Sequence, residues 1–219
     1  MTGQNKKMSN PNGAFAKAMR WFSVYLTRLF LCTSITANQV SIMVLFLGLA
    51  SVVLFMSGQW VIGSAVLLSA HALDYVDGSI ARHRKCFTLK GIWLENTFHR
   101  IMPSLIIFGV GFGLSEISIT YLYIGIAASF SWIIFNYISE MRRNVMLQNN
   151  GTYNNPRTNY IKKSNVMIRL YEFILSDEWM AIFILGAAAL DTLPLLLVCY
   201  GIFIPIRSFV LLMMLFIKK

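Results

Sequence analysis

Long apolar runs alternate with short polar connectors along most of the chain. A helix needs about 20 mostly apolar residues to cross a bilayer, so this pattern predicts membrane-spanning helices. We expect six spans, at about 39–56, 60–82, 91–114, 119–143, 178–190 and 193–217. The fifth is short for a bilayer, and an earlier start that includes the amphipathic segment Val166–Leu175 is one interpretation. The predicted fold class is an all-α integral membrane protein.

The segment before the first span has a different pattern, which predicts an amphipathic helix at about 14–32. Its two faces carry Phe15, Met19, Phe22, Leu26 and Leu29 on one side and Lys17, Arg20, Thr27 and Arg28 on the other. A helix of this kind lies in the membrane interface, here on the cytoplasmic leaflet. Residues 1–13 are polar, show no signal-peptide pattern and are expected to be disordered. We expect residues 14–219 to form one domain.

Composition agrees with a membrane protein, and the placement of charge predicts its orientation. Charged residues make up only 13% of the chain, against about 25% in soluble domains. The net charge is +10, and Lys and Arg cluster at Lys6–Arg28, Arg82–Arg100, Arg142–Arg169 and Lys218–Lys219. The alternate connectors lack both residue types, as the positive-inside rule requires. We therefore expect both termini and residues 71–100 on the cytoplasmic side of a bacterial inner membrane, and no nucleic-acid partner. On this interpretation His83, Arg84 and Lys85 are solvated charges that set topology.

Four ionisable residues stand out because they lie at the ends of predicted spans. Asp74 and Asp77 are three residues apart, and Glu95 and His99 are four apart, so each pair shares a helix face. A short antiparallel connection would bring the two faces to the same depth. Three carboxylates and an imidazole around one point are ligands for a divalent cation. The alternatives are an ion pair of the aspartates with Arg82 or Lys85, a snorkelling Glu95 and a structural His99.

Small residues and an arginine continue the face of the two aspartates. Gly78 and Ala81 leave a flat surface on which a ligand can approach the backbone, and Arg82 matches the geometry of a phosphate. Acids, a small-residue surface and an arginine together are what a metal-chelated pyrophosphate requires.

These residues resemble the signature of the CDP-alcohol phosphotransferase family, D-x2-D-G-x2-A-R-x8-G-x3-D-x3-D. The chain has Asp74, Asp77, Gly78, Ala81, Arg82 and Gly91 at six of the eight fixed positions, with every spacing kept. Glu95 and His99 stand in place of the last two aspartates. The resemblance extends to the amphipathic helix, the Thr36 and Asn38 start of the first span and the count of six spans.

The resemblance implies a function and a role for each matching residue. The reaction would move a phosphoalcohol group, as from CDP-diacylglycerol, to a small polar acceptor alcohol and release CMP. Asp74, Asp77, Glu95 and His99 would bind one or two Mg²⁺ or Mn²⁺ ions, and His99 would also deprotonate the acceptor. The nucleotide would be held by Asp74, Gly78, Ala81, Arg82, Gly91, Thr36 and Asn38. Relatives of this type are homodimers, so a homodimer is expected.

The two departures keep other functions open. Glu95 retains the charge but adds a methylene, whereas His99 removes one negative charge and offers a nitrogen donor. A changed reaction within the same fold, a silent relative that binds nucleotide and metal, and a cation transporter are the alternatives. Transport is disfavoured because the acids cluster at one side of spans two and three.

A basic residue inside the last span suggests an acceptor site. Arg207 lies in an apolar run, where an arginine is expected to face a cavity or an anion. By position it resembles, with Arg142 and Arg143, the basic residues that hold a phosphorylated acceptor in the family. Snorkelling to the interface, or a pair with Glu140, is the competing interpretation.

Overall fold

The computed structural model describes the backbone of residues 14–150 and 177–217 and the side chains of residues 21–141, 144 and 179–213. Within this part all regular secondary structure is helical, which confirms that the fold is all-α. The elements are α1 (Ala14–Leu31), α2 (Ala37–Met56), α3 (Trp60–His83), α4 (Leu89–Gly113), a 3-10 turn (Leu114–Glu116), α5 (Ile119–Asn150), α6 (Asp177–Ala189) and α7 (Leu193–Ile217). The predicted disordered residues 1–13 and the segment Val166–Leu175 lie outside the described part.

Helix α2 is the central element of the half of the molecule that carries the conspicuous acids. It packs along both α3 and α4, whose backbones stay apart and which meet each other through side chains. Its start is fixed by a capping box, because the Thr36 hydroxyl accepts from Gln39 N and the Gln39 side chain accepts from Thr36 N. The acid-bearing ends of α3 and α4 therefore flank the N-terminal end of α2.

The other half of the molecule is built by α5 and α7, which pack on each other and on α4. The approach of α4 to α5 is close because glycines face each other, and a Cβ built on Gly111 would lie 2.8 Å from Gly125 Cα. Small residues allow this close backbone approach between membrane helices. The buried core runs through both halves, and large apolar side chains such as Phe46 and Phe130 cover the outside.

Within residues 14–150 and 177–217, four helices are long and apolar enough to cross a bilayer: α2, α4, α5 and α7. Helix α3 carries the acids, and α6 has an apolar stretch of only 11 residues, Trp179–Ala189. The count of six spans therefore remains a prediction.

Helix α1 packs on α3, and over residues 21–31 its exposed positions are more apolar than its buried ones. Trp21, Phe22 and Leu29 are exposed, while Ser23 and Thr27 are buried. Thr27, which the sequence pattern places on the face opposite Phe22 and Leu29, lies against the protein. The exposed aromatic face is the one available to lipid, although an interfacial position of α1 remains a prediction.

Candidate active site between α3 and α4

Three helix ends meet at the candidate site: the start of α2, the end of α3 and the start of α4. Thr88 caps α4, since its hydroxyl accepts from Gly91 N at 3.0 Å. The chain turns between α3 and α4 at Lys85, whose φ of 54° places it in the left-handed region. This short connection directs the two acid-bearing helix ends to the same side of the molecule.

Asp74 and His99 are in direct contact, as their predicted faces require. His99 Nε2 lies 3.1 Å from Asp74 Oδ2, and the side chains are 35% and 11% exposed respectively. Phe98 packs edge-on against His99 on one side and His71 on the other. The two histidines also line a cavity with room for about one water molecule.

Asp77 is held by a residue of α2 that the sequence did not single out. The Ser41 hydroxyl donates to Asp77 Oδ2 at 2.6 Å, and both residues are only 7% exposed. Neither Asp77 nor Asp74 pairs with a lysine or arginine among the described residues. Asp74 contacts His99, which is cationic only when protonated, and Asp77 contacts the neutral Ser41 hydroxyl. Burying two carboxylates with so little compensating charge is costly, so this pair of acids favours an external cation.

Glu95 is exposed in the second turn of α4. Its carboxylate and that of Asp74 lie close enough to act electrostatically on Asp77. No three acid, histidine or cysteine groups of the described part converge closely enough to hold an ion in this conformation. The donor set of three carboxylates nevertheless fits a hard cation such as Mg²⁺ or Mn²⁺, which binds through oxygen.

The small-residue surface on α3 is occupied by the arginine that follows it. A Cβ built on Gly78 would lie 3.3 Å from Arg82 Nη1, so the glycine leaves room for the guanidinium. Arg82 is exposed and donates to Ser79 Oγ at 3.1 Å, and Ala81 is half-buried beside it. The arginine thus lies against α3 with most of its donors facing outward.

The starts of α2 and α4 are joined by a side-chain contact. Thr88 Oγ1 donates to Asn38 Oδ1 at 2.8 Å. A Cβ built on Gly91 would lie 2.8 Å from the same Asn38 oxygen, so Gly91 permits this approach. Thr36 serves as the N-cap of α2, two residues earlier.

Arg84 was expected to be a solvated charge, and the structure corrects this. It is half-buried and reaches from the end of α3 to the α1–α2 linker, residues 32–36. Its Nη1 donates to Ile35 O at 2.6 Å, and its Nη2 donates to Thr33 O at 2.6 Å. In sequence it stands between two other cationic residue types, and nothing in that run distinguishes it.

Arg207 is nearly buried, at 8% exposure, and lies 3.9 Å above the Phe135 ring in a cation–π contact. Glu140 pairs with Arg100 at 2.7 Å, an ion pair between α4 and α5 that the sequence did not predict. The side chains of Arg142 and Arg143 lie outside the described part. The acceptor role of these three arginines remains a prediction.

Comparisons with known proteins agree with the sequence pattern. A family model described as CDP-alcohol phosphatidyltransferase matches residues 34–191, which is more than half of the chain and includes the whole candidate site. An archaetidylinositol phosphate synthase of Methanothermobacter thermautotrophicus is 31% identical over 84 residues, 38% of this chain and 41% of the relative. The match thus spans about two fifths of the length of that curated relative.

Proposed function

The chain belongs to the CDP-alcohol phosphatidyltransferase family, and from this premise we propose that it transfers a phosphatidyl-type group from a CDP-alcohol to a small polar alcohol. The donor is a liponucleotide such as CDP-diacylglycerol, and CMP is released. The observation that carries the proposal is the pair of nearly buried aspartates without a lysine or arginine partner among the described residues. They are two of the six positions, out of eight, at which the chain matches the family signature.

The metal would be held by Asp74, Asp77 and Glu95, with His99 at the edge of the site. Mg²⁺ or Mn²⁺ held there would neutralise charge on the phosphoanhydride. Ser41 orients one oxygen of Asp77 and leaves the other for the cation. Arg82 presents its outward donors to the phosphates, and Asn38 and Gly91 form the neighbouring wall.

His99 is proposed as the base for the acceptor hydroxyl. When Asp74 accepts a hydrogen bond from Nε2, the proton of the neutral ring is on Nε2 and the lone pair is on Nδ1. The imidazole then takes the hydroxyl proton, a role that suits histidine near neutral pH. Asp74 fixes the ring orientation and stabilises the imidazolium that forms.

An anionic acceptor is favoured by Arg207 and by the family relative. Arg207 places a nearly buried positive charge on α7, and the name of the relative indicates a product that carries an inositol phosphate. We propose that the acceptor is a small alcohol that carries phosphate. We also propose that the site lies on the cytoplasmic side of the membrane, since the Lys and Arg clusters favour that orientation. The protein is further proposed to be a homodimer, as the resemblance to the family implies.

The experiment is a CMP-release assay on the purified full-length protein with Mg²⁺ or Mn²⁺, across CDP-alcohols and acceptor alcohols. Activity should vanish with EDTA, return with Mn²⁺ and be lost in Asp77→Asn, which removes the charge at constant size. A panel in which no donor and acceptor pair yields CMP, although CDP binds, would refute the transferase.

That last outcome would favour the second candidate, a relative with altered chemistry or none. Glu95 is exposed and His99 replaces a carboxylate, and these are the departures on which this alternative rests. CMP release from a CDP-alcohol with water alone, without any acceptor, would identify a hydrolase.

A further inference from the structure

Arg84 ties the end of α3 to the C-terminal end of α1 and to the linker that follows. Besides Thr33 and Ile35, its Nη2 approaches Phe30 O at 3.4 Å, in the last turn of α1. The last carbonyls of a helix lack partners within the helix and carry partial negative charge. A guanidinium suits this position, because its planar donors can serve several carbonyls at once.

The linker is fastened again a few residues later, at the start of α2. Thr88 donates to Asn38, and Thr88 itself is fixed as the cap of α4. The segment 33–38 is thus held at one end by Arg84 and at the other by Thr88. Thr36 and Asn38, the two nucleotide-binding candidates outside the α3–α4 region, lie in this segment.

We propose that Arg84 is a positioning residue that holds Thr36 and Asn38 at the mouth of the site and thereby sets the affinity for the cytidine nucleotide. The inference rests on the proposed function, because it assumes that CDP binds here. A charge that only sets topology would be solvated, whereas Arg84 is half-buried with two contacts of 2.6 Å. Charge-assisted bonds of this length fix geometry as well as adding energy.

The test measures CDP binding by calorimetry on the full-length protein in detergent with Mn²⁺, together with the melting temperature of each variant. Arg84→Ala should weaken CDP binding about tenfold, the effect of misplacing one good hydrogen bond to the ligand. Arg84→Lys should weaken it by a smaller factor, because an ammonium cannot reproduce the fork that serves both linker carbonyls.

Lys85→Asn is the matched control. It removes the same charge one residue away, at an exposed position, and asparagine tolerates the left-handed backbone there. It should bind CDP as the wild type does. If Arg84→Ala does not fold, the CDP affinity of Arg84→Lys alone tests the inference.

Two results would overturn the inference, and they have different meanings. Wild-type CDP affinity in the Arg84 variants, with only the melting temperature lowered, would make Arg84 a structural clamp and leave the proposed function intact. Absence of CDP binding by the wild type would refute the proposed function, and the inference with it.

Discussion

Ser41→Ala tests whether α2 contributes to the metal site through Asp77. The substitution removes the one hydroxyl that donates to Asp77 Oδ2, a 2.6 Å contact between nearly buried groups. A hydrogen bond to a charged group contributes about 1.5–3 kcal/mol. Loss of an outer partner of a metal-binding carboxylate typically reduces metal affinity about 10–100-fold, which corresponds to roughly 1.4–2.8 kcal/mol. The energy of the hydrogen bond and the typical loss of metal affinity give the same range, so we expect Mn²⁺ affinity to fall about 10–100-fold in Ser41→Ala.

The assay is Mn²⁺ titration followed by electron paramagnetic resonance on the detergent-solubilised protein. Ser51→Ala is the matched control, since Ser51 is a buried serine of the same helix whose hydroxyl donates only to Gly48 O. It should leave Mn²⁺ affinity unchanged. Equal Mn²⁺ affinity in the two variants would show that Ser41 does not orient a metal ligand.

Three further predictions concern packing and the variant histidine. A Cβ on Gly113 would overlap the Phe55 carbonyl oxygen, whereas one on Gly186 meets nothing within 4 Å. Gly113→Ala should therefore lower the free energy of unfolding by about 1–3 kcal/mol, whereas Gly186→Ala should raise the melting temperature slightly. Similar melting temperatures of the two variants would contradict the described packing. Gly91→Ala should lower the melting temperature in the wild type, because its Cβ would lie 2.8 Å from Asn38 Oδ1 and 3.3 Å from Thr88 Oγ1. In an Asn38→Ala background only the contact with Thr88 remains, so the decrease should be smaller. An equal decrease in both backgrounds would exclude the clash with Asn38. His99→Asp restores the family residue. If His99 is the base, the rate of CMP release in this variant should no longer rise with pH near neutrality, as it does with a histidine base. An unchanged pH profile would show that His99 takes no part in proton transfer.

The helices could be predicted closely because their signal is local. Apolar runs mark the part of a helix that contacts lipid or core, and α3 and α7 begin at the predicted residues. Helix α5 continues to Asn150, seven residues past the predicted end at about 143, because hydropathy reports the end of the apolar stretch and not the end of the hydrogen-bonded helix. The position of α2 against both α3 and α4 depends on side-chain packing, which one sequence does not reveal.

The contacts of the candidate site likewise include some that the sequence predicts and some that depend on packing. The contact between Asp74 and His99 follows from helical spacing and a short connection, so the sequence was sufficient to predict it. Ser41 and Arg84 act over separations of 36 and 49 residues, through a hydroxyl and through backbone carbonyls. Serines are common on membrane helices and arginines are common in basic connectors, so neither residue type carries a signal of its role. Only the packing of the helix ends makes those roles visible.

The packing of α2 has a consequence for ion choice. The backbones of α3 and α4 are held apart by α2, and the two helices meet through side chains such as Asp74 and His99. The thickness of α2 therefore influences how far apart the acids of α3 and α4 lie. Gly48 keeps α2 thin, because a Cβ there would meet Met102 and Phe98 of α4. Mg²⁺ demands shorter bonds and stricter geometry than Ca²⁺, so residues that never touch the ion can decide which ion fits. If Asp74, Asp77 and Glu95 hold the cation as proposed, adding one methyl group to α2 with Gly48→Ala should shift the preference towards the larger ion without altering any ligand.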